Sequence, residues 1–82
     1  MIHIATLHYR DESWIDPQLR YLERHTSEDY RVYTCLDGVD RRQFARFHHA
    51  EERWDPIQFE FDHLAAVISE QADPDDMLVF MH

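Results

Sequence analysis

Apolar and polar positions fall in blocks along this chain, and the period within each block predicts an element. Ile2 to His8 is β-rich and mostly uncharged, which reads as a strand. The polar loop Tyr9-Arg10-Asp11-Glu12-Ser13 follows. Ile15, Leu19 and Leu22 then recur at i, i+4 and i+7, one face of a helix. Asp16-Pro17 fits an N-cap followed by proline at the first helical position, with Ser13 an alternative cap one turn earlier. Asp11, Glu12 and Asp16 near the start, and Arg24 and His25 near the end, suit the helix dipole.

Tyr30 to Leu36 is aromatic and β-branched and predicts a second strand, which Asp37-Gly38 ends. Gly38 is the only glycine, so this turn is expected to need a positive φ. Asp40 to Phe47 predicts a short helical turn with Phe44 and Phe47 on one side. His48 to Glu52 fits either a short strand or a loop. The clearest period runs from about Pro56 to Ala72, where Ile57, Phe61, Leu64, Ala65, Ile68 and Ala72 form one wide apolar face. Asp55-Pro56 starts this helix and Asp73-Pro74 stops it. Met77-Leu78-Val79-Phe80-Met81 is a continuous apolar run without alternation, the pattern of a parallel strand covered on both faces.

The order strand, helix, strand, short helix, long helix, strand predicts an α/β fold, a Rossmann-like parallel sheet with flanking helices. Ligands of such sheets bind beyond the carboxyl ends of the strands, here His8 and Tyr9, Asp37 and Gly38, and His82.

Composition narrows the partners. A net charge of −9 disfavours nucleic acid and anionic membrane surfaces, both of which need clustered positive charge. No run approaches the ~18 apolar residues of a transmembrane segment. Cys35 is the only cysteine, so no internal disulfide forms, and a thiol in an apolar run behaves as a small buried hydrophobe more often than as a reactive group. A single reduced thiol fits a cytoplasmic location. Eighty-two residues make one domain at most, with a core small enough that a partner would help it.

One glycine cannot build a dinucleotide fingerprint or a P-loop. The seven histidines lack recognised zinc spacing; His48 and His49 point to opposite faces of a strand, as do His3 and His8. Asp37 reads as a turn aspartate or as an acceptor for a base or ribose. Asp62, one position off the apolar face, reads as solvated helix surface or as a ligand contact. Asp73, Asp75 and Asp76 read as a loop keeping charge out of the next strand. Trp14 and Trp54 read as packing, and Glu51-Glu52-Arg53 as exposed polar chain.

Several stretches together carry a resemblance to a known family. They are Phe61-Asp62-His63-Leu64-Ala65, the run Ala72-Asp73-Pro74-Asp75-Asp76-Met77-Leu78-Val79-Phe80-Met81, the opening Ile2 to Tyr9 with Trp14 and Leu19-Arg20-Tyr21-Leu22, and Arg31-Val32-Tyr33 leading to Leu36-Asp37-Gly38. With them the chain resembles the nucleotide-sugar glycosyltransferases of GT-A type along essentially its whole length. The resemblance implies a partial GT-A-type domain: residues 1–82 as an incomplete N-terminal nucleotide-binding half-domain, contributing the nucleoside-binding side and inactive as it stands. In that family an Asp-x-Asp motif follows the last strand and holds a divalent cation, manganese or magnesium, on the donor diphosphate. Here His82 stands where the first aspartate would fall. By the same resemblance Thr6, His8 and Asp37 border the nucleoside, Asp62 faces the diphosphate, and none of the four performs the chemistry. The alternatives are a small α/β protein that assembles with another chain, as a homo-oligomer through an uncovered strand edge or helix face, and a nucleotide-binding module without catalysis.

Overall fold

The computed structural model describes residues 1–53 and 57–81. Trp54, the Asp55-Pro56 helix start and His82, each given a role above, lie outside the described residues. The elements are strand β1 (Ile2–Tyr9), helix α1 (Ile15–His25), strand β2 (Tyr30–Asp37), a 3₁₀ helix (Arg41–Arg46), strand β3 (His49–Glu52), helix α2 (Ile57–Ser69) and strand β4 (Met77–Met81). The four strands form one sheet in the order β3-β2-β1-β4, and every neighbouring pair is parallel. The expected Rossmann-like α/β arrangement is therefore present.

Alternation within the strands sends apolar residues to both faces. Ile4 and Val32 meet Ile15 and Leu22 of α1 on one face, together with Leu36 and Phe47. Ala5, Tyr33 and Cys35 meet Leu64 and Ile68 of α2 on the other. Much of the anticipated helix faces holds: Leu19 and Phe44 pack against the first cluster, and Phe61 and Ala72 against the second, joined there by Val67 rather than Ala65, while the side chain of Ile57 lies outside the described residues. Cys35 is buried as a small hydrophobe. The histidine pairs also divide as expected. His3 meets Tyr33 while His8 meets Gln18 of α1, and His48 meets Tyr30 while His49 meets Tyr33.

Local details depart from the pattern, each for a physical reason. Helix α1 begins at Ile15 with Trp14 at the cap position and no side-chain cap, so Asp16 is not the cap. Pro17 lies within the first turn, where a missing N–H costs nothing. Ser13 does not cap either; its N–H and hydroxyl both donate to Oδ1 of Asp11 in a local turn. Asp40 caps the 3₁₀ helix by accepting from the Arg42 N–H. His49 to Glu52 is the strand of the two readings left open. Helix α2 ends at Ser69, and the Gln71 and Ala72 N–H groups close its end by donating to the Ile68 carbonyl.

The largest departure is β4. Its apolar run predicted a strand covered on both faces, yet it lies at a sheet edge with Met77 60%, Leu78 38% and Phe80 50% exposed. Val79 and Met81 pack against the α1-side core, and the Phe61 ring of α2 meets Phe80 edge-on at 4.9 Å. Trp14, read as packing, is instead 68% exposed.

Candidate functional site

The chain steps outward from β1 to β2 to β3, then returns past β1 to place β4 on its other side. A sheet that reverses direction this way opens a crevice beyond the carboxyl ends of the two strands at the switch, here β1 and β4. The β1 end is Tyr9-Arg10 and the register places Asp37 of β2 directly beside Tyr9.

Four contacts organise the chain at this end. The Arg10 N–H donates to the Asp37 carbonyl at 2.7 Å. The Asp40 N–H donates to Oε1 of Glu12 at 2.9 Å, joining the loop after β1 to the loop after β2. The Asp16 carboxylate receives both Arg20 of its own helix at 2.8 Å and Arg46 of the 3₁₀ helix at 2.7 Å. Arg10 has φ 51° and Gly38 φ 66°, so both loops leave their strands through the left-handed region. That bend leaves Tyr9 and Arg10 exposed, with the guanidinium over the Tyr9 ring at 5.1 Å. No local pattern singles out Arg10 within its polar loop; the one signal is that it immediately follows a strand end.

The four expected site residues are placed differently from one another. Thr6 is fully buried in β1, and its hydroxyl meets no hydrogen-bond partner among the described residues. An unsatisfied buried hydroxyl costs about 1–3 kcal/mol, and such a group is commonly completed by a water or a ligand. His8 lies two residues on, on the same face, and is 8% exposed. Its Nε2 is 3.2 Å from Oε1 of Gln18 and its ring 6.1 Å from that of Phe47, so α1 and the core hold it in place. Asp37 is half-buried at the end of β2, next to Tyr9 but on the opposite face from Thr6 and His8. Asp62 is exposed on α2, and no contact links it to the other three. The fold thus brings His8 and Asp37 to the carboxyl ends of adjacent strands but on opposite faces, keeps Thr6 buried further back in β1, and leaves Asp62 on a separate element.

Two residues read as loop or surface prove to hold histidines, Asp76 the buried His3 and Glu51 the half-buried His49 and His63. Asp76 lies in the loop before β4, yet its Oδ2 lies 2.8 Å from Nε2 of His3 and accepts the Asp73 N–H at 3.0 Å. Its Oδ1 accepts from the Met1 amino group at 3.0 Å. These donors, His3 foremost, hold the Asp76 carboxyl far below the usual aspartate range. His3 in turn is 2.8 Å from the Tyr33 hydroxyl through Nδ1. Glu51, read as exposed chain, lies between His49 and His63. The long-range partners leave no local signal: Asp76 is 73 residues from His3 and Glu51 is 12 from His63.

An open hollow of about 530 Å³ lies at the other end of the sheet, bordered by Ser27, Glu28, Asp29, Tyr30 and His48. It sits at the amino end of β2, away from the carboxyl ends of the strands. Among the described residues no three His, Cys, Asp or Glu side chains are arranged to hold a metal ion, and no helix is long and apolar enough to cross a membrane. Neither a family model, a curated protein nor a solved structure matches the chain.

Proposed function

We propose that this chain supplies the nucleoside-binding side of a nucleotide-sugar-dependent glycosyltransferase of GT-A type. The observation that carries the reading is the exposed Arg10–Tyr9 pair at the end of β1, beside the switch point of a parallel sheet. A guanidinium there suits a diphosphate, and an aromatic ring suits a base. The half-buried Asp37 at the neighbouring strand end is an acceptor for ribose or base donors. The resemblance also implies manganese or magnesium on the donor diphosphate; the chemistry assigned to this chain is binding alone.

Isothermal calorimetry with uridine or guanosine diphosphate in the presence of manganese tests this reading. A saturable heat is expected, with affinity about ten-fold weaker in Arg10→Ala, the effect of one charged contact. No heat above buffer with either nucleotide overturns it.

A second reading rests on β4. An uncharged, apolar edge strand with exposed Met77, Leu78 and Phe80 is a template for pairing with another chain. In this reading two copies associate through that edge. Sedimentation at micromolar concentration is expected to show a dimer that Phe80→Lys converts to monomer; a monodisperse wild-type monomer rules the reading out.

A further inference from the structure

The α2 side of the sheet carries a second histidine–carboxylate cluster, remote from the Arg10–Tyr9 pair in sequence. His49 and Glu51 are two apart on β3 and so share a face. His63 reaches them from α2. Both imidazoles meet the same oxygen: His49 Nε2 lies 2.9 Å and His63 Nε2 2.6 Å from Oε2 of Glu51. The three side chains are 32%, 29% and 34% exposed for His49, His63 and Glu51, so protons from solvent reach them.

With Glu51 ionised, each ring donates its Nε2–H to that one oxygen. Partial burial pushes the Glu51 carboxyl up, but the bonds from His49 and His63 outweigh it, and the net value lies below the ordinary 4.5. Other groups among the described residues border the cluster, and Arg53 follows Glu51 by two residues. On β2, the Tyr33 ring is centred 6.0 Å from that of His49, and Cys35 is the register partner of Glu51. On α2, Glu60 is buried three residues before His63. Leu64, next to His63, is part of the cluster that covers Tyr33 and Cys35. The carboxylate bridge and the lid over Cys35 are therefore adjacent positions of one helix.

We propose that Glu51 is a pH-sensitive latch, in which one carboxylate oxygen ties α2 through His63 to the edge strand β3, and whose protonation frees α2 from that edge and uncovers Cys35. In acid a proton on Glu51 removes the negative acceptor that both rings share, and the charge-assisted bonds holding α2 to β3 are lost. The sign follows from the depressed value. The contribution of Glu51 is complete above the unfolded glutamate range and is lost as pH falls through the lower folded value. The latch is independent of the nucleotide reading, since none of its residues lies at the end of β1.

Cys35 provides the readout, being the only cysteine and 1% exposed. Its labelling by 4,4′-dithiodipyridine, which reacts with thiols in acid, is followed from pH 7 to pH 3. Each rate is divided by that of the urea-unfolded chain at the same pH, which cancels the titration of the thiol itself. Far-UV circular dichroism is recorded in parallel. Protection of Cys35 is expected to hold down to pH 5 and then to fall about ten-fold before the dichroism changes, as one charge-assisted bond is lost. Glu51→Gln is expected to show the lower protection already at pH 7, with a flat profile. His63→Ala, which removes only the helix side of the bridge, is expected to behave the same way. The proposal is overturned if protection and dichroism are lost together, or if either variant keeps the wild-type profile.

Discussion

Gly38 and Arg10 meet across the carboxyl ends of β2 and β1 with no room for a β-carbon at residue 38. That atom would lie 2.6 Å from Cγ of Arg10 and 3.4 Å from its Cα. Cγ is the root of the arginine side chain, and Arg10 is itself at positive φ with its N–H bonded to the Asp37 carbonyl, so it has little freedom to retreat.

Gly38→Ala is therefore expected to destabilise the fold by about 1–3 kcal/mol, combining left-handed backbone strain with the contact. Urea denaturation measures it. An unchanged midpoint would mean that the two loops are not packed as described. Because the same contact shapes the Arg10 turn, nucleotide affinity in this variant is expected to fall along with stability.

Asp76 makes a pH prediction with a defined sign. Its folded value is held far below 3.8 by His3, the Asp73 N–H and the amino group of Met1. A depressed carboxylate stabilises the fold above the unfolded value and loses that contribution as pH falls through the folded one. Asp76→Asn should thus lower the melting temperature at pH 7 and converge with wild type in acid, the difference shrinking as pH drops below about 4. Thermal melts across pH 2 to 7 test this. A gap that stays constant through the acid range would show that the charge is not the cause.

Leu64 is fully buried where α2 crosses the sheet. Leu64→Ala should cost about 2–5 kcal/mol, the range for a buried leucine truncated in a packed core. A chain of this size has roughly 4–12 kcal/mol in all. Chemical denaturation should place this variant near the limit of folding, whereas Ala at the exposed Phe59 should cost under about 1 kcal/mol.

The element order was legible because helix and strand periods are local. Ile15, Leu19 and Leu22 declare a helix face whatever they pack against, and the interval from Tyr30 to Leu36 declares a strand. A lone glycine after a strand foretold its own positive φ. The helix caps were less legible, since Ser13 bonds Asp11 rather than α1, and nothing in the pattern separates those two uses of a serine. Of the candidate site, the strand-end positions of His8 and Asp37 follow from alternation alone, whereas the burial of Thr6 and the stacking of Arg10 on Tyr9 do not.

Chain pattern by itself thus determined a parallel α/β fold and the residues that face each side of its sheet, because burial period is a property of adjacent residues. Only the tertiary structure decided which strands are neighbours, and with that the exposure of β4: an apolar run reads the same at an edge as at the centre. It also decided which polar groups meet. His3 finds Asp76 across 73 residues, and Glu51 finds His63 across 12, because sheet register and helix docking set these distances and hydropathy carries no record of them.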